Sequence, residues 1–115
     1  MSSHLEIQFA MLWEATYPEI DLYSEYRFAA PRRFKADFCC PIAKVIIEIQ
    51  GGIWADGRHS RGSGLYSEYE KLCIAASLGY LVFLLSEEMI DDRYLCLIAT
   101  AIRERLPVCP LPALV

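Results

Sequence analysis

The segment Lys44 to Gln50 (KVIIEIQ) constrains this chain more than any other, because it is rich in β-branched residues and carries a carboxylate, Glu48, among Ile46, Ile47 and Ile49. Valine and isoleucine lose rotamer freedom in a helix and pack well on a pleated surface, so the run is predicted to be a strand. Burying a carboxylate in such a strand costs several kcal/mol unless a partner compensates. Just upstream the apolar period is two: Phe34, Ala36, Phe38 and Cys40 are expected on one face, with Lys35, Asp37 and Cys39 on the other. Pro41 and the residues after it turn the chain, so the two segments read as an antiparallel hairpin. A turn near residues 41–43 sets Asp37 beside Glu48, and Gln50, two residues on, projects from the same face as Glu48.

The flanking elements follow from periodicity and punctuation. Ser3 and Glu6 have the spacing of a capping box, and Leu5, Phe9 and Leu12 give one helical face that ends before Pro18. Residues 22–29 (LYSEYRFA) read as extended, with a turn at Pro31, Arg32 and Arg33. Residues 51–64 form a glycine-rich basic loop. A helix is predicted from Ser63 to Leu78, with Leu65, Tyr69, Leu72 and Ala76 as its inward stripe and Gly79 as C-cap. Tyr80 to Leu85 (YLVFLL) is apolar on both faces, which predicts a central strand. Asp91 or Asp92 caps a last helix with Leu95, Ile98, Ile102 and Leu106 inward, and Pro107 to Val115 is too proline-rich to continue it. The order α-β-β-β-α-β-α suits a mixed sheet flanked by helices.

Composition sets the frame for function. At 115 residues, 55% hydrophobic and 23% charged, the chain is expected to be one domain with a real core. No apolar run approaches the ~20 residues that span a bilayer, and the start, Met1-Ser2-Ser3-His4, has no signal-peptide character. A cytoplasmic protein without a membrane partner is the expectation. The five cysteines are an odd number without a zinc-type CxxC pair, so they read as small apolar fillers. A net charge of −4 argues against indiscriminate nucleic-acid binding. The cations are nevertheless concentrated: Arg27, Arg32, Arg33 and Lys35 in one cluster, Arg58, His59 and Arg61 in another.

Two carboxylates on neighbouring strand positions repel each other. A hard divalent cation removes that penalty, since Mg²⁺ or Mn²⁺ takes oxygen ligands from one or two carboxylates and completes its shell with water and phosphate. The strand carbonyl of Ile49 is a further oxygen ligand. The competing reading sets Asp37 and Glu48 on a solvent-facing sheet, paired with Lys35 or Lys44.

Asp37, followed by Glu48-Ile49-Gln50 closing an apolar strand, resembles the D…(D/E)xK pattern of the PD-(D/E)xK nuclease superfamily. The resemblance covers roughly residues 3–86. The phrase RRFKADF…VIIEIQGGIW…GRHSRG, with Glu68 and Lys71 on the helix after it, is most similar to small phage and archaeal-type Holliday junction resolvases and to very-short-patch-repair-like endonucleases. It implies a restriction-endonuclease-like α/β fold with a central mixed sheet. It also implies Asp37 and Glu48 as metal ligands, and Glu6 as a third acid acting directly or through water. Ala36 stands where the pattern has proline, and Gln50 where it has lysine. Glutamine orients a water but does not neutralise developing charge, so the resemblance points to a lysine displaced to the next helix, Lys71, with Lys35 as the alternative.

The implied activity is Mg²⁺-dependent hydrolysis of DNA phosphodiesters. Four-way junctions are the leading substrate, cut by a homodimer in DNA recombination or repair in a bacterial or phage-infected cytoplasm. The apolar last helix and the proline-rich tail are the expected dimer surfaces. A mismatch-directed or nicking endonuclease of the same fold, or a catalytically inactive DNA-binding protein, is the alternative. Arg32, Arg33, Lys35, Arg58 and Arg61 read as phosphate contacts. His59 reads as a phosphate contact, a proton shuttle or an ordinary loop histidine, and Trp54 as a stacking residue or a cover for the sheet edge. No Walker A pattern is present, so no nucleotide cofactor is expected.

Overall fold

The N-terminal helix is closed by its own side chains. The Glu6 amide donates to Ser3 Oγ at 3.1 Å and the Ser3 amide to Glu6 Oε2 at 3.3 Å, the reciprocal capping box that the spacing predicted. A computed structural model of the chain describes residues 3–50 and 62–107. The helix, α1, runs His4–Thr16 and is followed by β1 (Tyr23–Arg27), β2 (Lys35–Cys40), β3 (Val45–Ile49), α2 (Gly62–Ser77), β4 (Leu81–Leu85) and α3 (Asp92–Arg105). Asp91 is the cap of α3, its carboxylate accepting from the amides of Arg93 and Tyr94. No helix among the described residues is long and apolar enough to cross a membrane.

The strands form one sheet in the order β1-β2-β3-β4, with β1–β2 and β2–β3 antiparallel and β3–β4 parallel. A parallel pair needs a crossover, and α2 lies on that connection. The sheet is covered on both faces. Phe9 and Trp13 of α1 and Leu95, Ile98 and Ile102 of α3 bury one face, with Phe38, Cys40, Val45, Ile47 and Leu85 of the strands. On the other face Ala75 of α2 packs with Phe28, Cys39 and Ile46. Two covered faces explain why adjacent Cys39 and Cys40 are both buried. They point into separate cores, and burial pushes the Cys39 thiol up to about 12, which leaves it inert.

Four sequence expectations are corrected. The strand expected at the centre, Tyr80–Leu85, is an edge strand, with Leu81 and Leu84 41% and 47% exposed. Helices above and below make a strand apolar on both faces wherever it stands in the sheet, so that pattern does not report its rank. In α2 the inward residues are Lys71, Ala75 and Ile74, while Tyr69 is 60% exposed and Ala76 is also exposed. A buried ion pair orients this helix, and hydrophobic periodicity is blind to it. In β2 the strict alternation holds from Phe38 onward; Phe34 and Ala36 pack with Phe28 on the α2 side, upstream of the point where the β2–β3 ladder stops. Finally, the apolar stripe of α3 is used on its own sheet, so that stripe is not a dimer surface, and Leu106 lies just beyond the helix as its C-cap. The proline-rich tail beyond Pro107 lies outside the described residues.

Gly79, predicted to cap α2, stands just past the helix's end at Ser77, with a φ of +89° that suits glycine. The Tyr80 amide donates to Ala75 O and the Gly79 amide to Ala76 O, a Schellman pair that turns the chain directly into β4.

Candidate active site

The β2–β3 ladder pairs Phe38 with Ile47, Cys39 with Ile46 and Cys40 with Val45, then stops at the next pair, Asp37 and Glu48. There the side chains replace the backbone ladder. The Asp37 amide donates to Glu48 Oε2 at 2.8 Å, and the Ile49 amide donates to Asp37 Oδ2 at 2.8 Å. Each carboxylate is thus fixed by the neighbouring strand's backbone. Lys71 Nζ, reaching down from α2, donates to Glu48 Oε1 at 2.5 Å, and both side chains of this pair are buried. Both Glu48 oxygens are engaged, while Asp37 Oδ1 accepts no hydrogen bond from a described residue.

Electrostatics set the two acids apart from ordinary surface carboxylates. Burial raises the Asp37 carboxyl above its usual value; the Ile49 amide and Lys71 pull it down, and Glu6 and Glu68 push it up. Burial also raises Glu48, with the Lys71 hydrogen bond and charge acting against it and Asp37 adding to it. Desolvation dominates in both, and neither acid has the solvent-facing environment of the competing sequence reading.

The other sequence candidates fall at several distances from this pair. Glu6 is half-buried at the start of α1, where its carboxylate serves the capping box and its charge reaches Asp37. Lys35 is exposed, and Lys44 donates to Leu78 O at 2.9 Å; neither is an ion-pair partner of Asp37 or Glu48. Gln50 is half-buried, and its amide continues the parallel ladder by donating to Leu85 O. Arg32 is tied to Glu70 of α2 at 2.8 Å and lies over the Phe34 ring, whereas Arg33 is exposed. Trp54, Arg58, His59 and Arg61 lie outside the described residues.

Sequence reading missed the part played by Glu68. It precedes Lys71 by three positions on α2, the spacing that puts two residues on one helical face, and its charge acts on Asp37. The roles of the Asp37 and Ile49 amides had no sequence signal at all, since any residue type but proline carries an amide hydrogen.

The carboxylate oxygens of Asp37 and Glu48 are the kind of donor that a hard divalent ion takes. The charges of Glu6 and Glu68 act on Asp37, and that of Asp37 on Glu48, with one buried lysine against them. Among the described residues, however, no three of His, Cys, Asp and Glu are grouped closely enough to hold an ion by themselves. Any ion here would therefore take one or two carboxylates and leave much of its shell to water and substrate.

No family model matches the chain, and none of the curated proteins compared with it does. Among solved structures it is similar to one described as the catalytic domain of the homing endonuclease I-Bth0305I, with a TM-score of 0.64 and 17% identity. The match covers 92% of this chain and 100% of that one. At this identity the likeness is one of fold: an α/β domain with a four-stranded mixed sheet between helices.

Proposed function

We propose that this chain is a metal-dependent DNA endonuclease of the PD-(D/E)xK type, acting at Asp37 and Glu48. One observation carries the reading: the sheet interrupts its own ladder to hold two carboxylates side by side, with a buried lysine on one of them. A merely structural hairpin gains nothing from replacing ladder bonds with two desolvated acids. The fold shared with a homing endonuclease's catalytic domain agrees with this reading.

Asp37 and Glu48 would hold Mg²⁺ or Mn²⁺ with the Ile49 carbonyl, and Glu6 would act through a bridging water. When bound, the ion would supply positive charge to the scissile phosphate and lower the barrier to attack by water. Lys71 takes the place of the motif lysine: it balances the charge on Glu48 and stands ready to offset charge developing on the phosphate. The Gln50 side chain orients water on the same strand face. Arg33 and Lys35, with Arg58, His59 and Arg61, position the DNA backbone, and Arg32, tied to Glu70, holds the hairpin that carries Lys35.

The substrate we favour is a four-way junction, cut by a homodimer whose two sites meet its two symmetric strands. Recognition by DNA shape rather than by base sequence is the mode this reading assigns to the domain. The decisive experiment offers four-way junctions, mismatched duplexes and linear duplexes to the chain with and without Mg²⁺ or Mn²⁺. Wild type is expected to cut with metal only, junctions most rapidly, and Asp37→Ala to cut nothing. Metal-dependent cutting that survives Asp37→Ala removes this site. A preference for the mismatched duplex replaces the resolvase reading with the repair one, and metal-independent binding without any cutting leaves an inactive DNA-binding protein.

A further inference from the structure

The β1–β2 hairpin carries a feature that its own stability does not call for. Arg27 and Lys35 are direct cross-strand partners in the antiparallel register, and both are exposed. Directly opposed residues lie with their Cβ atoms about 5 Å apart, and like charges there are destabilising. Among the described residues neither cation has an acidic partner. Arg33 is exposed in the turn that joins the two strands. The turn itself is pinned: Arg32 is ion-paired to Glu70 of α2, stacks over Phe34, and its amide donates to Ala29 O at 2.9 Å. Arg32 is therefore engaged in holding the hairpin to α2, and Arg27 and Lys35 are presented on a fixed platform.

The position of that platform matters. Lys35 precedes Asp37 by two residues on β2, a separation of about 7 Å along a strand. Arg27 stands opposite Lys35 at the same end of the hairpin. An otherwise acidic chain thus sets two opposed cations one short step along the strand from its paired carboxylates. That separation is close to the spacing of successive phosphates along a nucleic-acid strand.

We infer that Arg27 and Lys35 form a phosphate clamp for a DNA backbone, gripping a phosphate next to the one presented to Asp37 and Glu48, with Arg32 as the positioning residue that fixes the hairpin. This rests on the nuclease reading and adds to it a new contact residue, Arg27, and a division of labour among the four cations. A phosphate held between the two side chains converts their mutual repulsion into shared attraction, and its binding releases counterions from the DNA.

The test is anisotropy titration of a labelled DNA duplex in EDTA over a range of KCl, so that no cleavage contributes. Removing one phosphate contact makes the slope of log K against log salt shallower by about 0.9. Arg27→Ala and Lys35→Ala are each expected to weaken binding and reduce the slope by about one, and the double variant by about two. Arg93→Ala, at an exposed arginine on α3, serves as the control and is expected to change neither. Thermal melting separates this from damage to the fold, because removing one member of a like-charge pair leaves Tm unchanged or raised. A double variant with wild-type affinity and slope overturns the clamp while leaving the nuclease reading intact. Wild type that binds no duplex at low salt overturns it as well, and the metal-dependent cleavage assay then decides separately whether the nuclease reading falls with it.

Discussion

Lys71 is where the energetics of single residues are most exposed to experiment. Its ammonium and the Glu48 carboxylate are both buried and joined at 2.5 Å. Removing one partner of such a pair strands the other in a low-dielectric site, at a typical cost of about 3–5 kcal/mol. Lys71→Ala is therefore expected to lower stability by about 3 kcal/mol near neutral pH, and by less on acidification, when Glu48 takes up a proton. The double variant Glu48→Gln/Lys71→Met, which leaves no buried charge, is expected to recover most of that stability in urea denaturation while remaining inactive. A double variant as unstable as Lys71→Ala would mean that packing of the lysine stem, not its charge, matters there. Of the acid pair, Glu48 was conspicuous in the sequence because a carboxylate amid isoleucines demands a partner. Its partner was less so: Lys71 stands 23 positions away on a helix whose apolar pattern points elsewhere.

Among the elements, α2 depends most on tertiary context. Leu65, Tyr69, Leu72 and Ala76 make a plausible stripe, yet the helix turns Lys71 and Ala75 to the sheet. Ala75 is fully buried against Ile46 and Cys39, and its small side chain lets the helix approach closely enough for Lys71 to reach Glu48. Ala75→Leu is expected to force α2 off the sheet, costing about 1–3 kcal/mol by overpacking and reducing cleavage with it. Tyr69→Ser, on the exposed side, is expected to change stability by less than about 0.5 kcal/mol. The reverse ranking in chemical denaturation would restore the sequence-derived face. α1 and α3, by contrast, were legible because their caps are local: Ser3 with Glu6, and Asp91 with the amides of Arg93 and Tyr94.

At the scale of the whole molecule, the two acids held in the sheet lower stability. Burial raises the folded-state values of both Asp37 and Glu48. A carboxylate raised in this way contributes stability that is fully present below its unfolded value and is lost as pH rises through the folded value. The wild-type fold therefore loses stability from these groups as pH rises from their unfolded values through their folded ones. Asp37→Asn keeps an oxygen for the Ile49 amide and does not titrate, so its Tm is expected to equal wild type's in acid and to exceed it near neutral pH, with cleavage abolished. A Tm difference that closes rather than opens with rising pH would reverse the sign assigned to Asp37. Helices bury both faces of the sheet, and that apolar burial offsets the cost of keeping two acids within it.

What the sequence determined by itself is what local physics and short-range spacing decide: the capping box, the glycine C-cap, the β2–β3 hairpin and the neighbouring placement of Asp37 and Glu48. The rest was decided by contacts between residues far apart in the chain. The edge position of β4, the face α2 presents and the union of Lys71 with Glu48 depend on which surfaces meet, and a one-dimensional apolar pattern carries no record of that. The same holds for the two amides that lock the carboxylates in place, because backbone groups are common to every sequence and acquire a role only when the strands are brought together.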